Sequence, residues 1–145
     1  YNYHKTSKLL SSMAVGQYHK SVKNHQTTAD WLSYNEGNVN TYLKDPLSGI
    51  TSSKGFYKEL LRGTSRLYNK KNVVRIRKDL PIYITAGQDD PVGKKGKGVN
   101  KLYEMYKRLN FQNVDIKIYK MMRHEILNEK DKIKVFNDVL DFLKV

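Results

Sequence analysis

Between residues 114 and 119, Val114, Ile116 and Ile118 alternate with Asp115, Lys117 and Tyr119, the period-two pattern of a half-buried strand. A second apolar run, rich in Ile and Tyr, reads as a strand from Leu80 to Gly87. Pro81 lies near its start, where a strand tolerates proline. Between the two, Val99, Leu102, Tyr103, Tyr106 and Leu109 recur at helical spacing. A last helix is predicted from Glu129 to Leu143, with Ile133, Phe136, Val139, Leu140 and Leu143 on one face. Strand, helix, strand, helix is one βαβ unit with a parallel pair. Upstream, Ser53 is placed to cap a helix whose stripe is Phe56, Tyr57, Leu60 and Leu61, with Gly63 as its stop.

The first 53 residues are more polar and more interrupted. A helix from Lys5 to Val15 would bury Leu9, Leu10 and Met13, and another from Glu36 to Leu43 would turn Val39, Tyr42 and Leu43 to one side. The stretch from His19 to Ala29 reads as loop, and no internal repeat is present. The pattern divides the chain into a helical segment, 1–53, and an α/β segment, 54–145. Two strands are too few for a parallel sheet, which is normally covered on both faces. The expectation is therefore the C-terminal portion of a larger α/β sheet. The chain opens on Tyr1 rather than Met, and the remaining strands are expected upstream.

Composition narrows the function classes. The chain has 145 residues and no Cys, which excludes disulfide scaffolds, thiolate metal sites and cysteine nucleophiles. Neither a membrane-spanning apolar run nor a signal peptide is recognisable. The cysteine-free composition fits a reducing compartment, and a cytoplasmic protein is expected. Lys and Arg number 27 against 14 Asp and Glu, a net charge of +13. The excess is mostly lysine and is scattered, and no nucleic-acid-binding signature appears. A solvated basic surface that meets anionic membranes peripherally is expected, with no nucleic-acid partner.

Two positions carry candidate chemistry by placement. Asp89-Asp90 follows the first strand, just past Gly87, and His124 follows the second after a four-residue connection. Ligands and catalytic groups of open α/β sheets gather at the carboxyl ends of strands. A carboxylate that accepts from one imidazole nitrogen fixes the tautomer and frees the other nitrogen as a base. The plainer reading is a turn-forming Asp pair and a surface histidine. His4, His19 and His25 show no metal-ligand spacing.

The segments G-Q-D-D-P-V-G-K-K-G-K-G-V at 87–99 and M-R-H-E-I-L-N-E at 122–129 resemble the ending of bacterial lysophospholipase and monoacylglycerol lipase-like serine hydrolases. D-W-L-S at 30–33 and Y-L-K-D-P-L-S-G at 42–49 resemble their cap. The resemblance implies the C-terminal portion of an α/β-hydrolase fold, with a helical cap over 1–53 and core over 54–145. It makes Asp90 the triad acid and His124 the general base. Val92 would line the pocket or simply pack the turn, and Trp31 would touch substrate or anchor the cap. No metal or organic cofactor is implied. The nucleophile elbow G-x-S-x-G, which precedes acid and base in this fold, does not occur, and neither Ser53 nor Ser65 has the required neighbours. The expected function is part of a serine esterase for lysophospholipids or monoacylglycerols, inactive alone, whose serine lies upstream and whose partner is the rest of the core. The rival is a non-catalytic basic binding domain.

Overall fold

The computed structural model describes residues 2–67 and 69–144. The two predicted strands pair in parallel: β1 is Ile82–Gly87 and β2 is Val114–Tyr119, with Ile82 opposite Val114 and Gly87 opposite Tyr119. β1 starts two residues later than predicted. Pro81 has no N–H to give, and the Ile82 amide makes the first bond, to the Asn113 carbonyl at 2.8 Å. Among the described residues the sheet has these two strands.

Helices α1 (Lys8–Ala14), α2 (Glu36–Lys44), α3 (Lys54–Leu67) and α4 (Lys70–Val73) precede β1. Helix α5 (Lys97–Arg108) makes the crossover, and α6 (Lys132–Leu143) ends the chain. On one face of the sheet Ile84 and Val114 pack with Val73 and Phe111, and α5 lays Val99, Leu102 and Tyr106 against them. On the other, Val135 of α6 is fully buried with Tyr119 and Met122. Burying one such side chain contributes about 1.5–3 kcal/mol. Polar groups fasten α6 as well: the Tyr119 hydroxyl donates to Asp138 at 2.8 Å, and Lys117 pairs with the same carboxylate at 2.7 Å.

Several helix expectations need correction. Helix α6 starts at Lys132 rather than Glu129, because residues Ile126–Asn128 form a 3₁₀ turn and the Glu129 carboxylate is engaged elsewhere. Its sheet-facing stripe is Val135, Val139 and Phe142, the last stacked on Tyr83. Of the predicted stripe Val139 faces the sheet, whereas Ile133, Phe136, Leu140 and Leu143 lie outward, beyond the reach of so narrow a sheet. Ser53 does cap α3, accepting from the Phe56 amide at 3.1 Å. Gly63 does not stop that helix, which runs on to Leu67. A helical glycine costs only about 1 kcal/mol against alanine, less than the continuing hydrogen bonds contribute. Tyr57 of α3 is buried, whereas Phe56, Leu60 and Leu61 are exposed.

The N-terminal segment is held by backbone pairing. The Lys54 amide donates to the Lys5 carbonyl at 2.9 Å and the Gly55 amide to the Tyr3 carbonyl at 3.0 Å. Helix α1 forms behind its Ser7 cap but of the expected side chains only Leu10 is half-buried, and Leu9 and Met13 are each 71% exposed. In α2, Val39 is buried against Ala29 and Leu32 with Tyr42 beside it, while Leu43 is exposed. The predicted loop after His19 holds the end of one 3₁₀ turn, Tyr18–Ser21, and is otherwise irregular.

Candidate active site

The site is assembled where the two strands end together. Beyond β1 the chain stays beside the chain leaving β2: the Gln88 amide donates to the Tyr119 carbonyl at 2.8 Å and the Asp89 amide to the Met122 carbonyl at 2.9 Å. Gly87 permits this approach. A β-carbon there would lie 2.1 Å from the Arg123 carbonyl oxygen and 2.4 Å from that of Met122, so no side chain fits. The turn that follows closes through the Lys95 amide on the Asp90 carbonyl at 2.8 Å. Its end takes three successive positive φ angles, at Lys94 (52°), Lys95 (53°) and Gly96 (80°). Backbone of this kind is sparsely populated and gathers at functional sites.

Asp90 and His124 meet across this junction. The Asp90 side chain is nearly buried, and its Oδ2 lies 3.2 Å from His124 Nδ1. A buried carboxylate accepts, so Nδ1 carries the proton and Nε2 is left as the basic nitrogen. The other oxygen, Oδ1, accepts from the Val92 amide at 2.8 Å, which fixes the carboxylate plane. The hydrogen bond that His124 donates to Asp90 raises the His124 pKa above the ordinary histidine value. Burial opposes the rise, and the charges of Asp90 and Glu125 add to it. The imidazole is 39% exposed, open enough to exchange a proton with a bound group.

Trp31 stands over the histidine, ring centroids 5.0 Å apart and planes 42° apart, with Tyr18 against its other side at 5.1 Å. Val92 is 42% exposed and borders a cavity of about 560 Å³ together with Asp90, Thr85 and Leu102. Asp89 is half-buried and accepts from the Tyr34 hydroxyl at 3.0 Å. Burial and that hydrogen bond raise the Tyr34 pKa, so the phenol keeps its proton and donates. The adjacent carboxylates thus serve different partners. His19 and His25 lie edge to face at 5.0 Å, and His19 borders a cavity with Trp31.

Sequence reasoning missed the residues that tie the segment around Trp31 to the histidine loop. Glu129 is 2% exposed and receives the Ser33 hydroxyl at 2.8 Å, the Tyr34 amide at 2.9 Å and the Arg123 amide at 2.8 Å. The Arg123 guanidinium donates to the Asp30 and Ser33 carbonyls and lies 3.8 Å over the Tyr34 ring. These partners sit about 90 residues apart in the chain, a separation that no periodicity reports. The one available cue was that both segments carry unusual local sequence.

A profile of the family described as "Serine aminopeptidase, S33" matches residues 2–131. The chain belongs to the serine aminopeptidase S33 family. No curated protein sequence matches it. Among solved structures, this S33 chain is similar to a highly thermostable carboxyl esterase from Bacillus coagulans, at 23% identity and a TM-score of 0.87, covering 98% of the chain and 46% of the esterase. A lipase in an open form gives 22% identity and a TM-score of 0.85, covering 98% of the chain and 46% of the lipase. A monoacylglycerol lipase from Paleococcus ferrophilus gives 20% identity and a TM-score of 0.65, covering 96% of the chain and 52% of the lipase. At these identities the likeness is one of fold. The S33 chain is a helical cap followed by a small parallel sheet with flanking helices, a partial α/β-hydrolase arrangement, and it spans about half the length of the structures it matches.

Proposed function

We propose that this chain supplies the cap, over residues 1–53, and the acid–base half of a serine esterase acting on lysophospholipids or monoacylglycerols. The observation that carries the proposal is the Asp90 Oδ2–His124 Nδ1 contact of 3.2 Å at the shared end of two parallel strands. His124 Nε2 takes the proton of a serine hydroxyl as the oxygen attacks the acyl carbonyl, and returns it to the leaving alcohol. The same nitrogen then activates the water that releases the fatty acid, while Asp90 steadies the imidazolium. The serine comes from sequence upstream, as the absence of G-x-S-x-G from these residues supports.

The cap supports the proposed substrate class. A cavity of about 320 Å³ opens beside Trp31, with Val15, Tyr42 and Leu43 in its wall and no Asp or Glu among its lining residues. The family's name points to peptide amines, and a free α-amine calls for a carboxylate at this place. The wall also holds His19, Thr28 and Ser48, but its largest side chains, Trp31, Tyr42 and Leu43, suit an acyl chain. Trp31 and Val92 are the proposed substrate-contacting side chains. The +13 charge favours contact with anionic membranes, on which such lipids reside. Among the described residues no helix is long and apolar enough to cross a membrane.

The test is hydrolysis of p-nitrophenyl butyrate, a monoacylglycerol and a lysophospholipid by residues 1–145 and by protein extended upstream. The extended protein should turn over the esters and the 145 residues should not exceed imidazole buffer. Turnover by residues 1–145 that His124→Ala abolishes would place the nucleophile inside this chain. Salt-sensitive binding to anionic vesicles without hydrolysis by either protein would favour the non-catalytic binding domain.

A further inference from the structure

We infer that Glu129 is a positioning residue for His124, its buried carboxylate fixing the histidine loop against the segment from Trp31 to Tyr34. The inference rests on the Asp90–His124 pair proposed above. His124 sits in a short excursion after β2, where a side chain is held in place only if the backbone on both sides of it is held. Both sides are. The Arg123 amide donates to Glu129 Oε1 at 2.8 Å, and the Glu125 amide donates to the Leu32 carbonyl at 2.8 Å. The 3₁₀ turn over Ile126–Asn128 brings the chain back so that Glu129 reaches beneath Arg123.

The chemistry of the surroundings calls for a carboxylate. Oε1 receives the Arg123 amide at 2.8 Å and the Tyr34 amide at 3.1 Å. Oε2 receives the Ser33 hydroxyl at 2.8 Å and the same Tyr34 amide at 2.9 Å. The Ser33 oxygen accepts from the Asn35 amide at 2.9 Å, so its own proton is free to go to Glu129. Every neighbour donates, and both carboxylate oxygens accept. A glutamine has one acceptor and would turn an NH₂ towards a donor. The nearest cation, Arg123, spends its guanidinium on the Asp30 and Ser33 carbonyls. A buried carboxylate without an ion pair is costly unless its hydrogen bonds are complete. Here all three donors come from segments that touch His124: Arg123 precedes it in the loop, and Ser33 and Tyr34 follow Trp31, whose ring packs on the imidazole. Groups that orient the partner of a reactive side chain act in this way without touching substrate.

A staple that only fastened the cap would leave the imidazole's titration unchanged, and this separates the two roles. The experiment is an NMR titration of the histidine side chains in ¹⁵N-labelled residues 1–145, for the wild type, Glu129→Gln, Ser33→Ala and Asp90→Asn. His4, His19 and His25 serve as internal references. His124 in the wild type should titrate above the ordinary histidine value and fall towards it in Asp90→Asn. In Glu129→Gln it should move the same way, beyond the scatter of the reference histidines, and in Ser33→Ala by a smaller amount. A folded Glu129→Gln with His124 at its wild-type value would overturn the inference. If that variant does not fold, an unmoved His124 in Ser33→Ala does so instead. If wild type and Asp90→Asn agree, the Asp90–His124 pair itself fails, and the positioning role falls with it.

Discussion

Asp89 and Asp90 are neighbours whose side chains leave the turn in different directions, one to Tyr34 and one to His124. Asn at position 90 would keep the volume and lose the anion that steadies an imidazolium. In the active, extended protein Asp90→Asn should lower kcat on the order of a hundredfold or more. Asp89→Asn still offers a carbonyl to the Tyr34 hydroxyl and should cost no more than about threefold. Steady-state kcat for the two variants checks the ranking. The raised His124 pKa also sets a pH dependence. A general base works as neutral imidazole, so kcat/KM should rise with pH through a limb lying above the ordinary value of about 6.5. In Asp90→Asn that limb should move down. The stability effect has the opposite sense. The pair's contribution is fully present below the unfolded-state pKa and is lost as pH rises through the higher folded-state value.

Among the elements, the end of β1 carries the strongest constraint, because the site exists only while the two chain segments stay in backbone contact. Gly87→Ala places a β-carbon inside the van der Waals radius of the Arg123 and Met122 carbonyls. Rigid backbone must separate, and the variant should lose about 3 kcal/mol or more in denaturant unfolding. Little change on unfolding would mean that the segments are not in contact. Elements with their own signal were legible in the sequence: the alternation of β2, the spacing in α5, the Ser53 cap, and the placing of the Asp89-Asp90 pair and His124 after strands, the choice of Asp90 coming from the family resemblance. What failed depended on distant partners. Leu9 and Met13 of α1 and the outer stripe of α6 belong to amphipathic patterns in the sequence yet are exposed. Gly63 passes for a stop because its tolerance within α3 is a matter of hydrogen bonding on either side. Glu129 lies in a segment singled out for its sequence, but its partners Ser33 and Tyr34 are some 95 residues away.

For the molecule as a whole, a helical cap and a partial parallel sheet bring Asp90, His124 and Trp31 together at one edge, and the function proposed for them is ester hydrolysis with a serine from upstream. The most direct test is kcat for p-nitrophenyl butyrate in the upstream-extended protein, with and without the imidazole. His124→Ala should lose on the order of 10⁴-fold while the thermal transition stays close to that of the wild type. His124→Ala retaining more than about a tenth of wild-type kcat, roughly 1.4 kcal/mol or less of barrier, would contradict the assignment of His124 as the base.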